Sequence, residues 1–346
     1  MSDSAQMSTS STSGTSCASV RVAGIDCGTN SIRLMIADVN DQGMHVVVPR
    51  IMRVVRLGQG VDRTHKFAPE ALKRTYAAIR EFADVIDKTG GVDIVRFVAT
   101  SATRDARNRQ EFSDTVLDLL GVRPEVIPGT TEARLSYLGA TSSLSARQRE
   151  NEAPVLVVDL GGGSTELVIG GTEENFGTTR GVSLQIGSVR VSERFLHHSP
   201  ATSEEISAAC AHIDELLESA FTDLPLEKTR TLIGVSGTVT TLSLIAAGEK
   251  NYSREKVDGL RVPFEKAQQA CTQICSLSSV QMAAWPVIHP GRRDVIAGGA
   301  LVWSRLSRML ANKTGQESGQ AVNSYVASER GLLDGLILDA GQNHAD

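Results

Sequence analysis

The sequence predicts an α/β protein whose two similar domains face each other across a cleft. Its 346 residues suffice for two hydrophobic cores of ordinary size. Strand-like and helix-like segments alternate along most of the chain. The third observation is a repeat: residues 25–31 (IDCGTNS) align with residues 158–164 (VDLGGGS), and the strands that follow also match without a gap. Strand, Asp-x-Gly turn and strand together argue against chance, so we predict duplicated domains with equivalent hairpins.

The first domain is predicted to open with three strands and to continue with alternating helices and strands. Apolar side chains from Leu72 to Ile86 have helical spacing and define its longest helix. Gly121 ends the next helix, as glycine often does. The predicted strands lie at residues 20–26, 32–39, 44–57, 93–99 and 125–128, and the predicted helices at 69–88, 112–120 and 132–144.

The second domain repeats this scheme from residue 155. Thr202 and Glu205 form a capping box that begins a helix ending near residue 220. The predicted strands lie at residues 155–160, 166–169, 232–235 and 321–326, and the helices at 202–220, after 238, at 294–310 and at 329–338. We therefore predict a disordered Ser/Thr-rich tail (1–19), a first domain (20–140) and a second domain (141–327), with the C-terminal helix (328–340) returning to the first.

The composition narrows the classes of function. A net charge of −5 argues against a general nucleic-acid-binding protein, yet allows a local basic cleft for a small polyanion. No apolar run is long enough to predict a membrane span, and the tail lacks the pattern of a signal peptide. Five cysteines without metal-binding or disulfide spacing fit a reducing cytoplasm. A homodimer is expected on base rates alone.

The two Gly-rich turns are candidate phosphate-binding loops. A strand that ends in Asp and continues into Gly-rich residues directs several backbone N–H groups into one space, and hydroxyl groups add further donors. One such turn alone is typical of an ordinary β-hairpin. Two such turns at equivalent positions of duplicated domains instead predict that a phosphate chain is bound from both sides of the cleft. The candidate residues are Thr29, Asn30 and Ser31 in the first loop and Gly161, Gly162, Gly163 and Ser164 in the second.

Two acids bracket the second loop. Asp159 and Glu166 lie at the ends of neighbouring strands, so that their carboxylates are expected to face the same mouth. Hard oxygen ligands beside phosphate suit Mg²⁺ or Mn²⁺. Asp26 holds the matching place in the first hairpin and is a further candidate, acting through water. The alternative is an Asp that caps a turn and a solvated Glu.

Two further segments supply a cation and an acid. Arg104 follows the strand at 93–99 and a run of hydroxyl residues, and its guanidinium can clamp phosphate oxygens. Glu132 lies at the start of a helix between the domains and is our candidate for the base that directs the attacking water. Its alternative role is structural, because an acid is favoured at a helix N-terminus.

Six segments together resemble the exopolyphosphatase and guanosine pentaphosphate phosphohydrolase family of the actin and sugar-kinase superfamily. They occur in family order over residues 20–338: GIDCGTNSIRLMIADV, FVATSATRDARN, IPGTTEARLSYLGA, VVDLGGGSTELVIG, GVSGTVTTL and SERGLLDGLIL. The resemblance implies two actin-like (ribonuclease H-like) domains with an interdomain cleft. It also implies hydrolysis of phosphoanhydride bonds with a bound divalent metal.

The resemblance assigns expected roles to matching positions. Glu132 matches the catalytic base and Arg104 the substrate-binding arginine, while Asp159 and Glu166 match the acids associated with the metal. The remaining matches are to phosphate-binding positions: Thr29, Asn30, Ser31, Arg33, Gly161, Gly162, Gly163 and Ser164, with Gly237 and Thr238 in the GVSGTVTTL turn. Arg292 or Arg293 resembles a basic position near the cleft, although a surface salt bridge would explain either equally well.

The chain departs from the family pattern in ways that bear on substrate choice. Thr131 stands where many members have a second Glu. We expect the short form without the C-terminal helical module of longer members, and this puts processive action on very long polyphosphate in doubt. Aromatic residues make up only 4% of the chain and none stands beside the motifs, which argues against a nucleotide-base pocket.

Four functions remain to be separated. The first is an exopolyphosphatase that releases terminal orthophosphate from linear, preferably short, polyphosphate. The second is a phosphohydrolase that converts pppGpp to ppGpp. The third is ATP-dependent phosphotransfer as in sugar kinases, which hold adenosine near the equivalent of the 234–238 turn. The fourth is a non-catalytic sensor of polyphosphate or alarmone, which would bind tightly without turnover.

Overall fold

The computed structural model describes residues 19–145, 148, 151–172 and 175–344. The predicted tail lies outside the described residues, apart from Ser19. The described chain forms two open sheets, each covered by helices on its faces. In each sheet a three-stranded antiparallel meander is extended by parallel strands, so the duplicated α/β architecture predicted from the repeated hairpin is confirmed.

The first sheet has the strand order β3-β2-β1-β4-β5. Its strands are β1 (Val20–Cys27), β2 (Ser31–Asn40), β3 (Gly43–Val54), β4 (Ile94–Ala99) and β5 (Glu125–Val126). The strands β1 and β4 are parallel, so the carboxyl end of β1 lies beside the carboxyl end of β4. This edge therefore carries both the turn after β1 and the segment that contains Arg104, as expected for binding sites in open α/β sheets.

The second sheet repeats this order with one added edge strand, β8-β7-β6-β9-β11-β10. Its strands are β6 (Val155–Leu160), β7 (Thr165–Thr172), β8 (Asn175–Leu184), β9 (Thr231–Val235), β10 (Arg261–Pro263) and β11 (Ser324–Ala327). The strands β6, β9 and β11 are parallel, whereas β10 pairs antiparallel with β11 at the edge. The turns after β6 and β9 consequently open at the same edge of the sheet.

The helices of the first domain have clear local determinants. The longest, α2, begins with Pro69 at its first position, where the missing N–H is not needed, and ends at Lys88 as predicted. The helix α4 ends at Gly121, whose φ of 73° is left-handed. These helices are α1 (Val61–Thr64), α2 (Pro69–Lys88), α3 (Ser101–Asp105), α4 (Arg109–Leu120) and α5 (Gly129–Thr141).

The helices of the second domain include the one predicted from a capping box. The Thr202 hydroxyl accepts from the Glu205 N–H, and the Glu205 carboxylate accepts from the Thr202 N–H, so this prediction is confirmed. The helices are α6 (Ser188–Phe195), α7 (Ser203–Asp223), α8 (Ser236–Ala246), α9 (Arg254–Val257), α10 (Phe264–Ser276) and α11 (Ile296–Ser318). Short 3₁₀ segments occur at Leu226–Lys228, Gln281–Ala284 and Pro290–Arg292.

The last helix, α12 (Leu332–Gln342), packs against the first sheet and α5 rather than against the second sheet. The helices α5 and α12 cross at glycines: a Cβ at Gly139 would lie 2.0 Å from the Gly331 carbonyl oxygen, and one at Gly335 would lie 1.9 Å from that of Leu135. Backbone contact at this crossing fixes α5, and with it Glu132, relative to the first sheet.

Several elements differ from the prediction. The third strand ends at Val54 rather than residue 57, because the N–H groups of Val55 and Arg56 turn away to the Asn30 carbonyl over the first loop. The elements α1, α6, α9, β8 and β10 were not predicted from the sequence. Of these, α1, α9 and β10 have only three or four residues, too few to show a period. Cys271, one of the five cysteines, is a buried core residue. Among the described helices, none is both long and apolar enough to cross a membrane.

Candidate active site

The two Gly-rich turns have the same backbone geometry. In the first, the Gly28 N–H donates to the Ser31 carbonyl at 3.0 Å. In the second, the Gly161 N–H donates to the Ser164 carbonyl at the same distance, 3.0 Å. Both hydrogen bonds close a turn between antiparallel strands, so the repeat seen in the sequence is also a repeat in backbone structure.

The two loops meet across the interdomain cleft. A Cβ at Gly162 would lie 2.9 Å from the Thr29 Cβ, and one at Gly163 would lie 2.5 Å from the Ser101 Oγ. The Thr29 and Ser101 hydroxyls are themselves 2.9 Å apart. Only glycine permits this approach, so the loops can face one ligand from opposite sides.

The acids of the two hairpins have different partners. Asp26 lies directly opposite Arg33, whose Nη1 donates to Asp26 Oδ2 at 2.7 Å. At the matching place in the second hairpin, Asp159 lies opposite Glu166, and two acids face each other. Like charges directly opposite on neighbouring strands repel. The charges of Asp26 and Arg33 thus cancel within the first hairpin. The second hairpin has no Lys or Arg to balance the charges of Asp159 and Glu166.

Burial and the nearby like charge shift the pKa values of the acids in the second hairpin. Burial, followed by the charge of Asp159, raises the pKa of Glu166 to about 7. Burial also raises the pKa of Asp159, opposed by a 2.6 Å hydrogen bond from the Ser136 hydroxyl. A cation at this position would favour the ionised form of both carboxylates.

The donor set fits a magnesium-type site. Glu166 Oε1 accepts from the Ser183 hydroxyl at 2.7 Å, while Glu166 Oε2 is buried without a hydrogen-bond partner among the described residues. Mg²⁺ is commonly held by one or two carboxylates and completes its shell with water and substrate phosphate oxygens. In the described part of the chain, no group of three or more His, Cys, Asp or Glu side chains is arranged to hold a metal. Asp159 and Glu166 therefore fit a metal shared with substrate.

Glu132 and Arg104 form a buried pair beside the loops. Arg104 Nη1 donates to Glu132 Oε2 at 2.8 Å and to the Ile127 carbonyl at 2.9 Å. Arg104 Nη2 is buried, and no described residue accepts from it. One amino group thus fixes the guanidinium while the other stays available for an anion. Burial and then the charge of Glu166 raise the pKa of Glu132 well above its ordinary value, with Arg104 opposing them.

The turn after β9 brings a further cation to the cleft. Ser236 has a left-handed φ of 78°, a strained conformation for a residue with a side chain. A Cβ at Gly237 would lie 1.3 Å from Arg292 Nη1, so any other residue here would displace that guanidinium from the turn. Burial and the charge of Arg33 lower the pKa of Arg292 to about 10. No carboxylate of the described residues pairs with Arg292, whereas Arg33 is paired with Asp26.

A cavity of about 60 Å³ joins these groups. Most of the residues predicted from the sequence line it, but Arg104, Gly163, Glu166 and Gly237 are not among its described lining residues. The predicted residues that line it are Asp26, Thr29, Asn30, Ser31, Arg33, Glu132, Asp159, Gly161, Gly162, Ser164 and Thr238. This space is small for a polyanion, and the expected opening of the cleft between the domains would enlarge it.

A larger cavity of about 310 Å³ adjoins the first and shares Arg33, Asp159 and Arg292 with it. Tyr252 lines this space together with apolar residues that include Val235 and Leu332. Aromatic residues are scarce beside the motifs, as noted from the sequence, but the fold brings Tyr252 to the cleft. Tyr252 lies ten residues after the GVSGTVTTL segment, and its hydroxyl donates to Thr240 Oγ1 on α8 at 2.7 Å.

Sequence reasoning missed the residues that orient the acids. Ser136 and Ser183 donate to Asp159 and Glu166 from 23 and 17 residues away. A lone serine carries no motif, although Ser136 lies inside the IPGTTEARLSYLGA segment. Arg292, only one of two candidates in the sequence, is the arginine that lines the catalytic cavity.

Comparisons with known proteins identify the family of this chain. A family model described as the Ppx/GppA phosphatase family matches residues 35–334. The chain is 43% identical over 326 residues to Exopolyphosphatase 2 of Mycobacterium tuberculosis, covering 92% of this chain and 98% of that protein. The crystal structure of an exopolyphosphatase-like protein matches with a TM-score of 0.91 and 53% identity, covering 95% of this chain and 99% of that one.

A second solved structure, the Ppx/GppA family member of Aquifex aeolicus, matches with a TM-score of 0.72 and 27% identity and covers 95% of this chain and 100% of that one. The resemblance first seen in six sequence segments is thus confirmed over nearly the whole fold. This chain belongs to the Ppx/GppA phosphatase family.

Proposed function

We propose that this protein is an exopolyphosphatase that releases terminal orthophosphate from linear polyphosphate, with a preference for short chains. The observation that carries the proposal is the Glu132–Arg104 pair beside two facing phosphate loops. A base, a phosphate-binding cation and N–H-lined turns on both sides of one cleft are the parts that water attack on a phosphoanhydride requires.

Glu132 accepts the proton of the attacking water in this mechanism. Its Oε2 is fixed by Arg104 Nη1, so the carboxylate is held in one orientation. Its raised pKa makes it a stronger base than an exposed glutamate, while Arg104 limits that rise. Base strength and orientation therefore both come from the same buried pair.

Arg104 and the loops hold the phosphoryl oxygens. The unpartnered Nη2 of Arg104 supplies a charge-assisted donor. Ser31 and Ser164 line the small cavity with their loops, whose hydroxyl and backbone N–H groups would bind phosphate oxygens. Arg33 and Arg292 lie where the cleft continues into the larger cavity, and there they would bind the phosphates of the leaving group. Positioning and charge stabilisation account for most of the catalysis of phosphoryl transfer.

Asp159 and Glu166 would hold Mg²⁺ or Mn²⁺, which when bound offsets phosphate charge and stabilises the leaving oxygen. Ser136 and Ser183 keep the two carboxylates oriented toward each other for this role. Asp26 is occupied by Arg33, so we place it next to the metal site rather than among the ligands. The cytoplasmic location and the homodimer stay predictions of the sequence.

A second candidate function is hydrolysis of the 5′-terminal phosphate of pppGpp. The adjoining cavity of about 310 Å³, with Tyr252 and apolar walls, has the size and lining expected for a nucleoside. Arg292 lies between this cavity and the catalytic one, where it can contact a phosphate chain that links them. The lining of this cavity thus supports pppGpp hydrolysis, whereas the scarcity of aromatic residues in the sequence argued against it.

Phosphate release by the purified protein tests both proposals. Short polyphosphate, long polyphosphate and pppGpp are supplied at equal concentration with Mg²⁺, and a sample with chelator serves as the metal-free control. Faster release from short polyphosphate supports the main proposal. Release from pppGpp alone establishes the second function, whereas tight binding of any of them without release identifies a sensor.

A further inference from the structure

One arginine outside the catalytic cavity connects the two sides of the cleft. Arg190 lies on α6, and only 10% of its side chain is exposed. Its Nε donates to the Gly163 carbonyl at 2.7 Å and its Nη2 to Asp105 Oδ2 at 2.6 Å. Its Nη1 donates to Asp62. A single guanidinium thus binds one group of the second domain and two of the first.

The partners of Arg190 belong to the catalytic elements. Gly163 is part of the second phosphate loop, and its approach to Ser101 and Thr29 brings the loops together. Asp105 is the last residue of α3 and directly follows Arg104. Arg190 therefore links the loop that would bind phosphate to the helix that carries the phosphate-binding arginine.

The backbone around Arg190 strengthens its connection to the second loop. The N–H groups of Val189 and Arg190 both donate to the Gly162 carbonyl, at 2.8 and 3.1 Å. The start of α6 and the loop thus form one rigid unit, with the Arg190 side chain projecting toward the first domain. The contacts with Gly162 and Gly163 lie within the second domain, whereas those with Asp62 and Asp105 cross the cleft to the first.

Arg190 has no direct access to the reacting groups. Its described side-chain partners are Gly163, Asp62 and Asp105, and the two carboxylates balance its charge. Its contribution must come from the position of its partners. A displacement of about 1 Å in a catalytic group can lower the rate by about 10²-fold, so a link between Arg104 and the second loop has consequences for turnover.

We infer that Arg190 is a positioning residue that aligns the Arg104-bearing helix with the second phosphate loop when the cleft closes. The inference rests on the proposed phosphoanhydride hydrolysis at this site. Arg190 acts in the closed state, where chemistry occurs, so its removal lowers kcat and leaves KM for polyphosphate nearly unchanged. Its planar guanidinium donates in three directions at once, which a lysine ammonium on the same helix cannot reproduce.

The test compares steady-state hydrolysis of short polyphosphate with Mg²⁺ by the wild type, Arg190→Gln, Arg190→Lys and Arg194→Gln. Arg194 is the matched control, because it lies on the same helix and pairs with the same Asp62 but contacts neither Gly163 nor Asp105. We expect kcat to fall by about 10- to 100-fold in both Arg190 variants with KM nearly constant. Arg194→Gln should stay close to the wild type.

Asp105→Asn provides a second route if the Arg190 variants fail to fold. It should lower kcat in the same way, and adding Arg190→Gln should cause little further loss, because both changes break one link. Equal losses in Arg190→Gln and Arg194→Gln, rescue by lysine, a change in KM alone, or additive losses with Asp105→Asn would each overturn the inference while leaving the proposed function intact. No release by the wild type would instead remove the proposed function, and this inference with it.

Discussion

Arg33 and Glu166 occupy the same place in the two hairpins, opposite Asp26 and Asp159. One residue difference between duplicated halves makes the first hairpin an ion pair and the second an acidic pair. The sequence repeat could reveal this equivalence because it depends only on spacing. It could not reveal the orienting hydroxyls of Ser136 and Ser183, whose positions depend on how α5 and β8 pack beside the hairpin.

At the residue scale, the proposed role of Glu132 as the base predicts how catalysis depends on pH. A general base acts in its ionised form, so activity should be present above the raised pKa of Glu132 and should be lost as the pH falls through that value. Arg104 lowers the pKa of Glu132, and its removal should raise that pKa further. In Arg104→Gln we therefore expect the acid limb of kcat/KM to move to higher pH.

The same variant should bind polyphosphate more weakly by about 2–4 kcal/mol, because a charge-assisted donor is lost from a buried site. The pH–rate profile and the affinity for polyphosphate are measured on one preparation. Arg109→Gln is the control, since this arginine is exposed and donates only to the Arg104 carbonyl. An acid limb that stays in place, or moves to lower pH, would contradict the assignment of Glu132 as the base.

At the scale of elements, the long periodic helices could be predicted from the sequence and the short ones could not. The helix Pro69–Lys88 was predicted over its full length because its apolar period extends over several turns. In α6, Val189 and Val191 alternate as in a strand, and eight residues are too few for this pattern to identify a helix. Arg190 was missed for the same reason, and its partners lie 128 and 85 residues away.

The glycine crossing of α5 and α12 makes a prediction that reverses the ordinary effect of alanine in a helix. Gly→Ala normally stabilises a helix by about 1 kcal/mol. At Gly139 the added Cβ would meet the Gly331 carbonyl oxygen at 2.0 Å, and backbone atoms cannot move aside without disrupting the crossing. We expect Gly139→Ala to lower the free energy of unfolding by about 3 kcal/mol.

Chemical denaturation of Gly139→Ala and Gly315→Ala measures this effect. Gly315 is the matched control, because it is also helical and its added Cβ would come no closer than 3.3 Å, to the Ala321 Cβ. Its unfolding free energy should change by less than about 1 kcal/mol. Equal effects of the two substitutions would show that the α5–α12 crossing is not tightly packed.

The C-terminal helix is also anchored by charge. Asp339 on α12 accepts from Arg96 Nη1 at 2.6 Å and from Arg134 Nη1 at 2.8 Å. Burial alone would raise the pKa of Asp339, but these two hydrogen bonds outweigh it and hold the pKa below 3.8. The carboxylate therefore contributes stability above the unfolded-state pKa, and this contribution is lost as the pH falls through the lower folded-state pKa.

We expect Asp339→Asn to lower the free energy of unfolding by about 1–2 kcal/mol at pH 7, since the partners are partly exposed. The difference from the wild type should shrink as the pH falls below about 4. Urea unfolding at a series of pH values measures it, with the exposed Asp118→Asn as control. A difference that grows in acid would have the wrong sign for this account.

At the scale of the whole molecule, the duplicated domains create a site that neither contains alone. Glu132 and Arg104 come from the first domain, and the acidic hairpin from the second. The sequence could predict these groups and their joint use, because duplication implies two loops facing one ligand. It could not predict the adjoining cavity, since Tyr252 and Arg292 reach it through loops without a repeating pattern.

The role of Glu132 at the end of a phosphate chain is the central claim, and phosphate release from short polyphosphate by Glu132→Gln tests it most directly. The substitution keeps shape and hydrogen bonding to Arg104 but removes the base. We expect kcat to fall by roughly 10²–10⁴-fold with polyphosphate binding retained, while the exposed Glu111→Gln keeps wild-type activity. Turnover by Glu132→Gln close to that of the wild type would contradict the account.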